Sequence, residues 1–337
     1  MVSRLSMELL QHHLLPVARD VFRVGVWLFL LMAVFVPLER LFSVHPQKIF
    51  RRSFLTDLGY YFLNSLLPNA LLIVPTAFLA WGVHSVVPLG VHSLIAGMPL
   101  WMRLAAALAV GEFGFYWGHR WAHEIPLLWR FHAIHHSAEE IDWLVNSRAH
   151  PFDIVFVRLC GFVPMYALGL AQPMRGQKLD TVPLLIMLLG TMWGFFVHAN
   201  LRWRFGWLAL LVSTPAFHHW HHTKDEHINK NYASMLPLMD KLFGTWYLPK
   251  KQWPLQYGID APLAPGLAAQ LLQPLFNASD TQDRTRRLAD DRVGMGAEAP
   301  ERLVQHSAAD HDQIGIVPAS LLANGFRHIA SGHADRH

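Results

Sequence analysis

The sequence predicts an all-α protein, built as a polytopic bundle of membrane helices. The 337-residue chain is 53% hydrophobic but only 15% charged, whereas soluble domains carry about 25% charged residues. Long apolar stretches recur along it, and several contain Gly and Pro, which membrane helices tolerate. Lys and Arg stand beside these stretches and not in one block, which suits a membrane surface better than a nucleic-acid groove. We therefore expect no nucleic-acid partner.

Five apolar segments make up the predicted bundle. The first is slightly short for a span, and the second is long enough for one span, a bend near Pro88 and Gly90, and a partial re-entrant piece. The third contains Glu112, a charge that is costly in such a segment and often functional; the fourth is interrupted by Arg158. The segments are 24–38, 58–102, 104–118, 154–174 and 181–201.

We divide the chain into three parts. Residues 1–53 form an N-terminal segment with the first apolar helix, and residues 54–252 form the membrane domain. Residues 253–337 are a C-terminal extension, expected to be partly disordered because its end is rich in Ala, Asp, Arg and His without a sustained apolar period. The lone cysteine, Cys160, excludes internal disulfides, Cys-based zinc sites and Cys-ligated iron–sulfur clusters.

Three clusters stand out among the 22 histidines. They read His119-Arg-Trp-Ala-His123, His132-Ala-Ile-His135-His136 and His218-His219-Trp-His221-His222. Positions three and four apart share a helix face, so each cluster should direct two or three imidazoles towards one point, with His219 off that face. Neutral imidazole binds iron, zinc, copper and nickel. Eight ligands exceed the needs of one ion and predict a site for two.

The order and spacing of these boxes resemble the fatty acid hydroxylase/sterol desaturase superfamily, especially its bacterial members. The third box continues as His222-Thr-Lys-Asp-Glu-His227-Ile-Asn-Lys-Asn231-Tyr, then Leu236-Pro-Leu-Met-Asp240-Lys-Leu-Phe-Gly244-Thr-Trp-Tyr, which is also similar to that family. The resemblance covers about residues 50–250. It implies a membrane-embedded di-iron centre and an O2- and reductant-dependent hydroxylation or desaturation of a lipid C–H bond, sterol-like or fatty acyl.

The resemblance also implies the ligand set. By position, the eight box histidines correspond to the family's metal ligands, and His198 resembles a further histidine found between the second and third boxes. His150 is either a helix cap or a residue behind a ligand, and His227 could contact a ligand's neighbour. The predicted metal ligands are His119, His123, His132, His135, His136, His198, His218, His221 and His222.

The implied cofactors are two iron ions, with O2 as co-substrate and zinc as a substitute in a purified sample. No Gly-x-Gly-x-x-Gly fingerprint follows a strand pattern, so no flavin or nicotinamide site is expected. Electrons should come from a separate donor, ferredoxin- or cytochrome-type with its reductase. Basic residues near the boxes would contact anionic lipid headgroups, or alternatively an acidic redox partner. These are Arg120, Arg130, Arg148, Lys224 and Lys230.

Some carboxylates near the boxes should orient the imidazoles. The candidates are Glu112, Glu124, Glu139, Glu140, Asp142, Asp153, Asp225 and Asp240. The loop with Lys48, Arg51 and Arg52 indicates a cytoplasmic location by the positive-inside rule. If successive segments cross the membrane in alternate directions from this loop, every box lies at the cytoplasmic face of a bacterial inner membrane. The orientation of the first segment is ambiguous, because basic residues also precede it.

Two other functions fit parts of the pattern. A membrane zinc hydrolase would show His-Glu-x-x-His; His123-Glu124 begins this motif, but Leu127 stands where the second histidine belongs. A metal transporter would place ligands near the membrane midplane, whereas these clusters lie at the ends of apolar segments. The lipid, the carbon attacked, hydroxylation versus desaturation and the oligomeric state stay open.

Overall fold

The computed structural model describes residues 15–86, 88–171 and 181–276. Within those residues the chain is helical and forms no strand; an isolated bridge joins Thr223 to Tyr257. The prediction of an all-α fold is confirmed for this part of the chain. The predicted disorder of the last 60 or so residues lies outside the described residues, and the domain boundaries at 53 and 252 stay predictions.

Each of the predicted apolar segments forms a helix, with ends that differ from the expected ones. The first helix is longer than the predicted first segment. Pro88 divides the second segment between α2 and α3, where its extended backbone (φ −58°, ψ 139°) ends helical geometry as the sequence suggested. The long helices are α1 (Leu15–Phe42), α2 (Phe54–Val86), α3 (Leu89–Ala96), α4 (Leu100–Glu124), α5 (Pro126–His136), α6 (Pro151–Ala167) and α7 (Thr181–His198).

Helix α6 ends at Ala167, well before the predicted residue 174. Gly169 adopts φ +71°, a left-handed conformation that glycine allows at little cost. The N–H groups of Leu168, Gly169 and Leu170 then donate to carbonyls of the last helical turn. This backbone cap stops the helix while the apolar sequence continues.

Short helices held by local caps occur between the long helices and after them. The 3-10 helices are Trp143–Ser147, Gly206–Leu210 and Glu226–Asn229, and the α-helices are α8 (Pro215–His221), α9 (Leu238–Leu242) and α10 (Leu267–Phe276). At the start of α8, the Thr214 hydroxyl accepts from the N–H of Phe217, and Pro215 occupies the first turn. This cap sets the first turn of the helix that carries the third histidine box.

Helices α4 and α6 pack with their backbones unusually close. A Cβ atom at Gly114 would overlap the carbonyl oxygen of Cys160, and one at Gly118 would lie 2.6 Å from the Cys160 Cβ. Only glycine allows this approach. The contact brings the C-terminal end of α4, with His119 and His123, beside the N-terminal end of α6, with Asp153.

Among the described residues, two helices, α1 and α7, have the length and the apolar composition needed to cross a membrane. Their outward faces carry large exposed apolar side chains, including Phe22 and Phe29 on α1 and Leu184 and Leu188 on α7. Exposed apolar surface of this extent suits contact with lipid. The polytopic arrangement and its orientation in the membrane stay predictions.

Candidate metal centre

Nine buried histidines converge where α4, α5, α7 and α8 meet, and they form two groups. Within each group, the candidate ligand nitrogens all lie within 4.8 Å of one another. The first group consists of His119, His123, His132, His136 and His221. The second consists of His135, His198, His218 and His222. The structure thus brings together every histidine proposed from the sequence as a ligand.

The two groups do not coincide with the three sequence boxes. Successive residues of an α-helix are rotated by about 100°, so residues four apart nearly share a direction and residues three apart diverge to the other side. His132 and His136 accordingly belong to the first group while His135 belongs to the second. In the third box, His221 separates from His218 and His222 in the same way. The expectation that each box points at one place is therefore wrong for these two boxes.

The Nε2 atoms face one another inside each group. His119 Nε2 lies 3.2 Å from His132 Nε2 and 3.0 Å from His221 Nε2. In the second group, the Nε2 atoms of His198, His218 and His222 are mutually 3.0–3.2 Å apart. Two imidazoles bound at about 2.1 Å to one ion, at right to tetrahedral angles, have nitrogens about 3.0–3.4 Å apart. The observed spacing is that of ligands to a common ion.

The opposite ring nitrogen of five histidines donates a hydrogen bond to the protein. Four of these bonds end on backbone carbonyls: His119 Nδ1 to Tyr232 (2.7 Å), His135 Nδ1 to Arg148 (2.9 Å), His198 Nδ1 to Gly194 (2.7 Å) and His221 Nδ1 to Lys230 (2.8 Å). The fifth, from His132 Nδ1, ends on Asp153 Oδ2 at 2.9 Å. With the proton held on Nδ1, each Nε2 presents a lone pair to the interior of its group.

These lone pairs give a test of whether the residues fit metal ions. His198 Nε2 has no proton to offer, yet three other Nε2 atoms, those of His135, His218 and His222, lie within 3.2 Å of it. Both ring nitrogens of His136, which is fully buried, lack a hydrogen-bond partner in the described part of the chain. Leaving buried polar nitrogens unpaired is unfavourable. A cation in each group would satisfy them, so the donor set fits two metal ions.

Burial favours the neutral form of several box histidines. Loss of solvation and, to a smaller extent, the neighbouring His132 lower the pKa of His135 to about 4. The pKa values of His136, His221 and His222 also lie well below the ordinary value of 6.5, first because of burial and then because of neighbouring histidines. Neutral imidazole is the form that binds metal.

A buried network of charges supports the second group from behind. Arg51 forms two 2.7 Å bonds to Asp142 and lies 2.6 Å from Asp57, which also accepts from Arg148 at 2.5 Å. The backbone carbonyl of Arg148 holds His135 Nδ1. Arg51 and Arg148 are 5% and 3% exposed. Neither is a surface charge. Arg148 is therefore not available to headgroups or to a redox partner, contrary to expectation.

The other candidate residues have mostly structural contacts. His150 caps α6 through Nδ1, which accepts from the N–H of Phe152, and His219 is bonded to the Tyr257 hydroxyl and the Ala199 carbonyl. His227 lies outside both groups, bonded to Asp225 and stacked on Tyr247. Glu112 accepts from the N–H groups of Met235 and Leu236.

Asp240 acts on the centre through the backbone. Its carboxylate accepts from the N–H groups of Tyr232 and Ala233 and from the Thr245 hydroxyl. Those bonds fix Tyr232, whose carbonyl holds His119. The carbonyls that orient the imidazoles were missed by sequence reasoning, because a backbone oxygen leaves no mark on residue type. Asp57 was also missed, although its position as a lone carboxylate at the edge of an apolar segment was a weak indication of a role.

An apolar cavity of about 280 Å³ opens onto both groups. Histidines from each group, among them His119, His132, His135 and His198, line one end. The rest of the wall comes from α4, α6 and α7 and is mainly apolar. Its members include Leu108, Phe115, Ile154, Phe162, Met165 and Ile186.

Fold and site together define a helical protein with a buried, histidine-lined candidate two-metal centre at the end of an apolar cavity. Residues 104–245 match the fatty acid hydroxylase family, and a plant methylsterol monooxygenase is 30% identical over two thirds of its own length. The chain belongs to the fatty acid hydroxylase family, as its histidine boxes suggested.

The relatives cover different amounts of the chain. Ornithine lipid hydroxylase OlsE of Rhizobium tropici is 38% identical over 178 residues, 52% of this chain and 51% of that protein. Human alkylglycerol monooxygenase is 30% identical over 171 residues, 48% of this chain and 34% of that protein. Methylsterol monooxygenase 2-2 of Arabidopsis thaliana is 30% identical over 201 residues, 57% of this chain and 67% of that protein. The chain thus spans about half or less of the first two relatives. No solved structure matches it.

Proposed function

We propose that the protein is a di-iron oxidoreductase that uses O2 and external electrons to oxidise a C–H bond of a membrane lipid. The observation that carries this proposal is the pair of histidine groups, each with ligand nitrogens within 4.8 Å of one another, beside an apolar cavity. Polar ligands for two ions beside an apolar wall suit a substrate that is itself apolar at the reacting carbon.

The names of the relatives favour hydroxylation over desaturation. They include a hydroxylase and two monooxygenases, whose named substrate types are an ornithine lipid, an alkylglycerol and a methylsterol. In a hydroxylation, one oxygen atom of O2 enters the C–H bond and the other leaves as water. Two electrons and two protons are consumed, and a separate protein donor would supply the electrons.

The nine histidines would hold the metal, five in one group and four in the other. When bound, iron would supply the activation of O2 and the oxidising power that no side chain provides. The protein contributes position: Nδ1 hydrogen bonds to carbonyls and to Asp153 keep each Nε2 aimed at its group. The apolar walls of α4, α6 and α7 would exclude water and align a hydrocarbon segment with the centre.

We further propose that the protein is an integral protein of a bacterial inner membrane, with the histidine boxes on the cytoplasmic side. The two long apolar helices and their exposed apolar faces support membrane association. A cytoplasmic centre would be accessible to a soluble or membrane-bound reductant.

The test is lipid mass spectrometry of a bacterial host with and without the full chain, grown under isotope-labelled O2. We expect a new lipid that carries one labelled oxygen atom, absent with His135→Ala and present with the matched control His227→Ala, whose ring lies outside both groups. Purified protein should contain two iron ions and consume O2 when reduced. An unchanged lipid profile from a metal-loaded protein, with metal flux or hydrolysis instead, would contradict the proposal.

A further inference from the structure

A positive charge lines the apolar cavity and has no partner among the described residues. Arg158 is near the middle of α6, is half-buried and lines the cavity. Ile154 and Phe162, one turn before and one turn after it, line the same cavity. Among the residues that the structure describes, no side chain or carbonyl is hydrogen-bonded to or paired with the guanidinium. Arginine side chains in such surroundings are ordinarily paired.

The two carboxylates that line the cavity are not paired with Arg158. Glu112 accepts from the backbone of Met235 and Leu236, and Asp153 accepts from His132. Neither forms an ion pair with Arg158 in the structure. An acidic group that pairs with Arg158 would therefore come from outside the described residues.

Helix geometry places Arg158 between the metal-ligand end and the far end of the cavity. Asp153, which contacts His132, is five residues earlier, or about 7.5 Å along the helix axis. The wall continues along α4 from His119 to Leu108, about 16 Å at 1.5 Å per residue. Arg158 thus divides the cavity into a short section beside the histidines and an apolar section that leads away from them.

We propose that Arg158 binds an oxyanion of the substrate, a carboxylate or a phosphate, and holds it close to the histidine centre. The substrate would then be an anionic amphiphile whose charged end lies in the inner part of the cavity and whose hydrocarbon chain extends past Phe162 and Met165. Oxidation would fall on a carbon within a few bonds of the charged group. A planar guanidinium forms two parallel bonds to such groups, which fixes orientation as well as position. This inference rests on the proposed function, because it takes the cavity to be the substrate site.

The first experiment measures binding and needs no turnover. Purified full-length protein in phosphatidylcholine nanodiscs is given a fluorescent dodecanoate, which is displaced by unlabelled dodecanoate, dodecyl phosphate or dodecanol. We expect at least one of the two anions to bind about tenfold more tightly than the alcohol, which corresponds to about 1.4 kcal/mol. The preferred anion identifies the oxyanion. Equal affinities for the alcohol and both anions would overturn the proposal without any variant.

Variants then assign the preference to Arg158. Arg158→Gln should abolish the preference for the anion, and Arg158→Lys should keep part of it because the charge remains without the planar geometry. The matched control, Arg52→Gln, removes an exposed arginine outside the cavity and should behave like the wild type. Iron content and the thermal midpoint show that each variant is folded. An anion preference that survives Arg158→Gln would overturn the assignment.

Lipid profiles separate this inference from the proposed function. If the wild type oxidises no lipid in cells, the proposed function fails whatever the nanodiscs show. If the wild type and Arg158→Gln produce the same oxidised lipid at the same rate, the oxidase stands and the role of Arg158 is wrong. If Arg158→Gln loses oxidation of an anionic lipid while keeping its iron, both the proposed function and the role of Arg158 are supported.

Discussion

Each histidine of the centre has two nitrogens, and the bond made by one decides what the other can do. A proton held on Nδ1 by a carbonyl leaves Nε2 as a lone-pair donor, as for His119, His135 and His221. His132 differs because its Nδ1 donates to a carboxylate, Asp153. An anionic acceptor makes the imidazole more basic and a stronger ligand. Asp153 is therefore the residue through which the first group can be weakened without removing a ligand.

We expect Asp153→Ala to lower the affinity of the first group for metal, or the rate of lipid oxidation, by about 10–100-fold. Asp153→Asn should be milder, because its amide oxygen still accepts from His132. Chelator competition followed by iron analysis measures the effect. The control is Asp225→Ala, which removes an exposed carboxylate outside both histidine groups. Full iron retention by Asp153→Ala against the same chelator would show that Asp153 does not support His132.

At the scale of helices, the centre depends on how closely α4 and α6 approach. Gly111, Gly114 and Gly118 lie about one turn apart on the face of α4 that meets α6. Their missing side chains would meet the Met165 side chain, the Cys160 backbone and the Cys160 side chain, respectively. The close approach brings the end of α4 that carries His119 beside the end of α6 that carries Asp153, the support of His132. Helix packing therefore sets how His119 lies relative to the pair formed by His132 and Asp153.

We expect Gly114→Ala to destabilise the folded protein by about 1–3 kcal/mol, because the added methyl overlaps the Cys160 carbonyl and forces the helices apart. Iron content should fall as well, since His119 moves with α4. The thermal midpoint and iron stoichiometry in detergent report both effects.

Gly25→Ala is the matched control, because nothing lies within 4 Å of a Cβ at that position of α1. There alanine should be neutral or stabilising by up to about 1 kcal/mol. A Gly114→Ala protein as stable as the Gly25→Ala protein would mean that the two helices can separate without cost.

At the scale of the whole molecule, the distribution of apolar surface matters most. The outward faces of α1 and α7 expose large aromatic and aliphatic side chains, whereas the histidines, Asp57 and Asp153 are buried. A soluble protein carries mostly polar side chains at its surface and buries its large apolar ones, whereas these helices expose them. The exposed apolar side chains fit a lipid environment around the long helices. The proposed topology then puts the histidine end in the cytoplasm and the α2–α4 connection outside.

Cysteine labelling tests this topology, because the chain has one native cysteine. In a Cys160→Ala background, we expect a membrane-impermeant maleimide to label Ser93→Cys in intact spheroplasts and Lys250→Cys only after lysis. Both positions are exposed in the fold. The background protein without an added cysteine should stay unlabelled. Labelling of Lys250→Cys in intact spheroplasts would place the histidine end on the outer side.

The sequence by itself determined the helical class and the residues of the centre. Apolar segments interrupted by few charges can only be helices in lipid, since every backbone group must bond within the segment. Imidazoles three and four residues apart lie on the same side of a helix. This spacing indicated the eight box histidines, and the family resemblance added His198; the structure brings all nine into two groups.

Tertiary structure alone decided which histidines share a group and what holds them. Helix rotation separates His135 from His132 and His136, and His221 from His218 and His222. The packing of α5 against α8 decides which of these sets combine, and no local pattern encodes that packing. The carbonyls of Tyr232 and Arg148 became supports because distant segments fold over the centre, and Arg51 became a buried partner of Asp57 instead of a surface charge. Sequence periodicity reports the direction of a side chain on its own helix, whereas the contacts it makes depend on the packing of other elements against it.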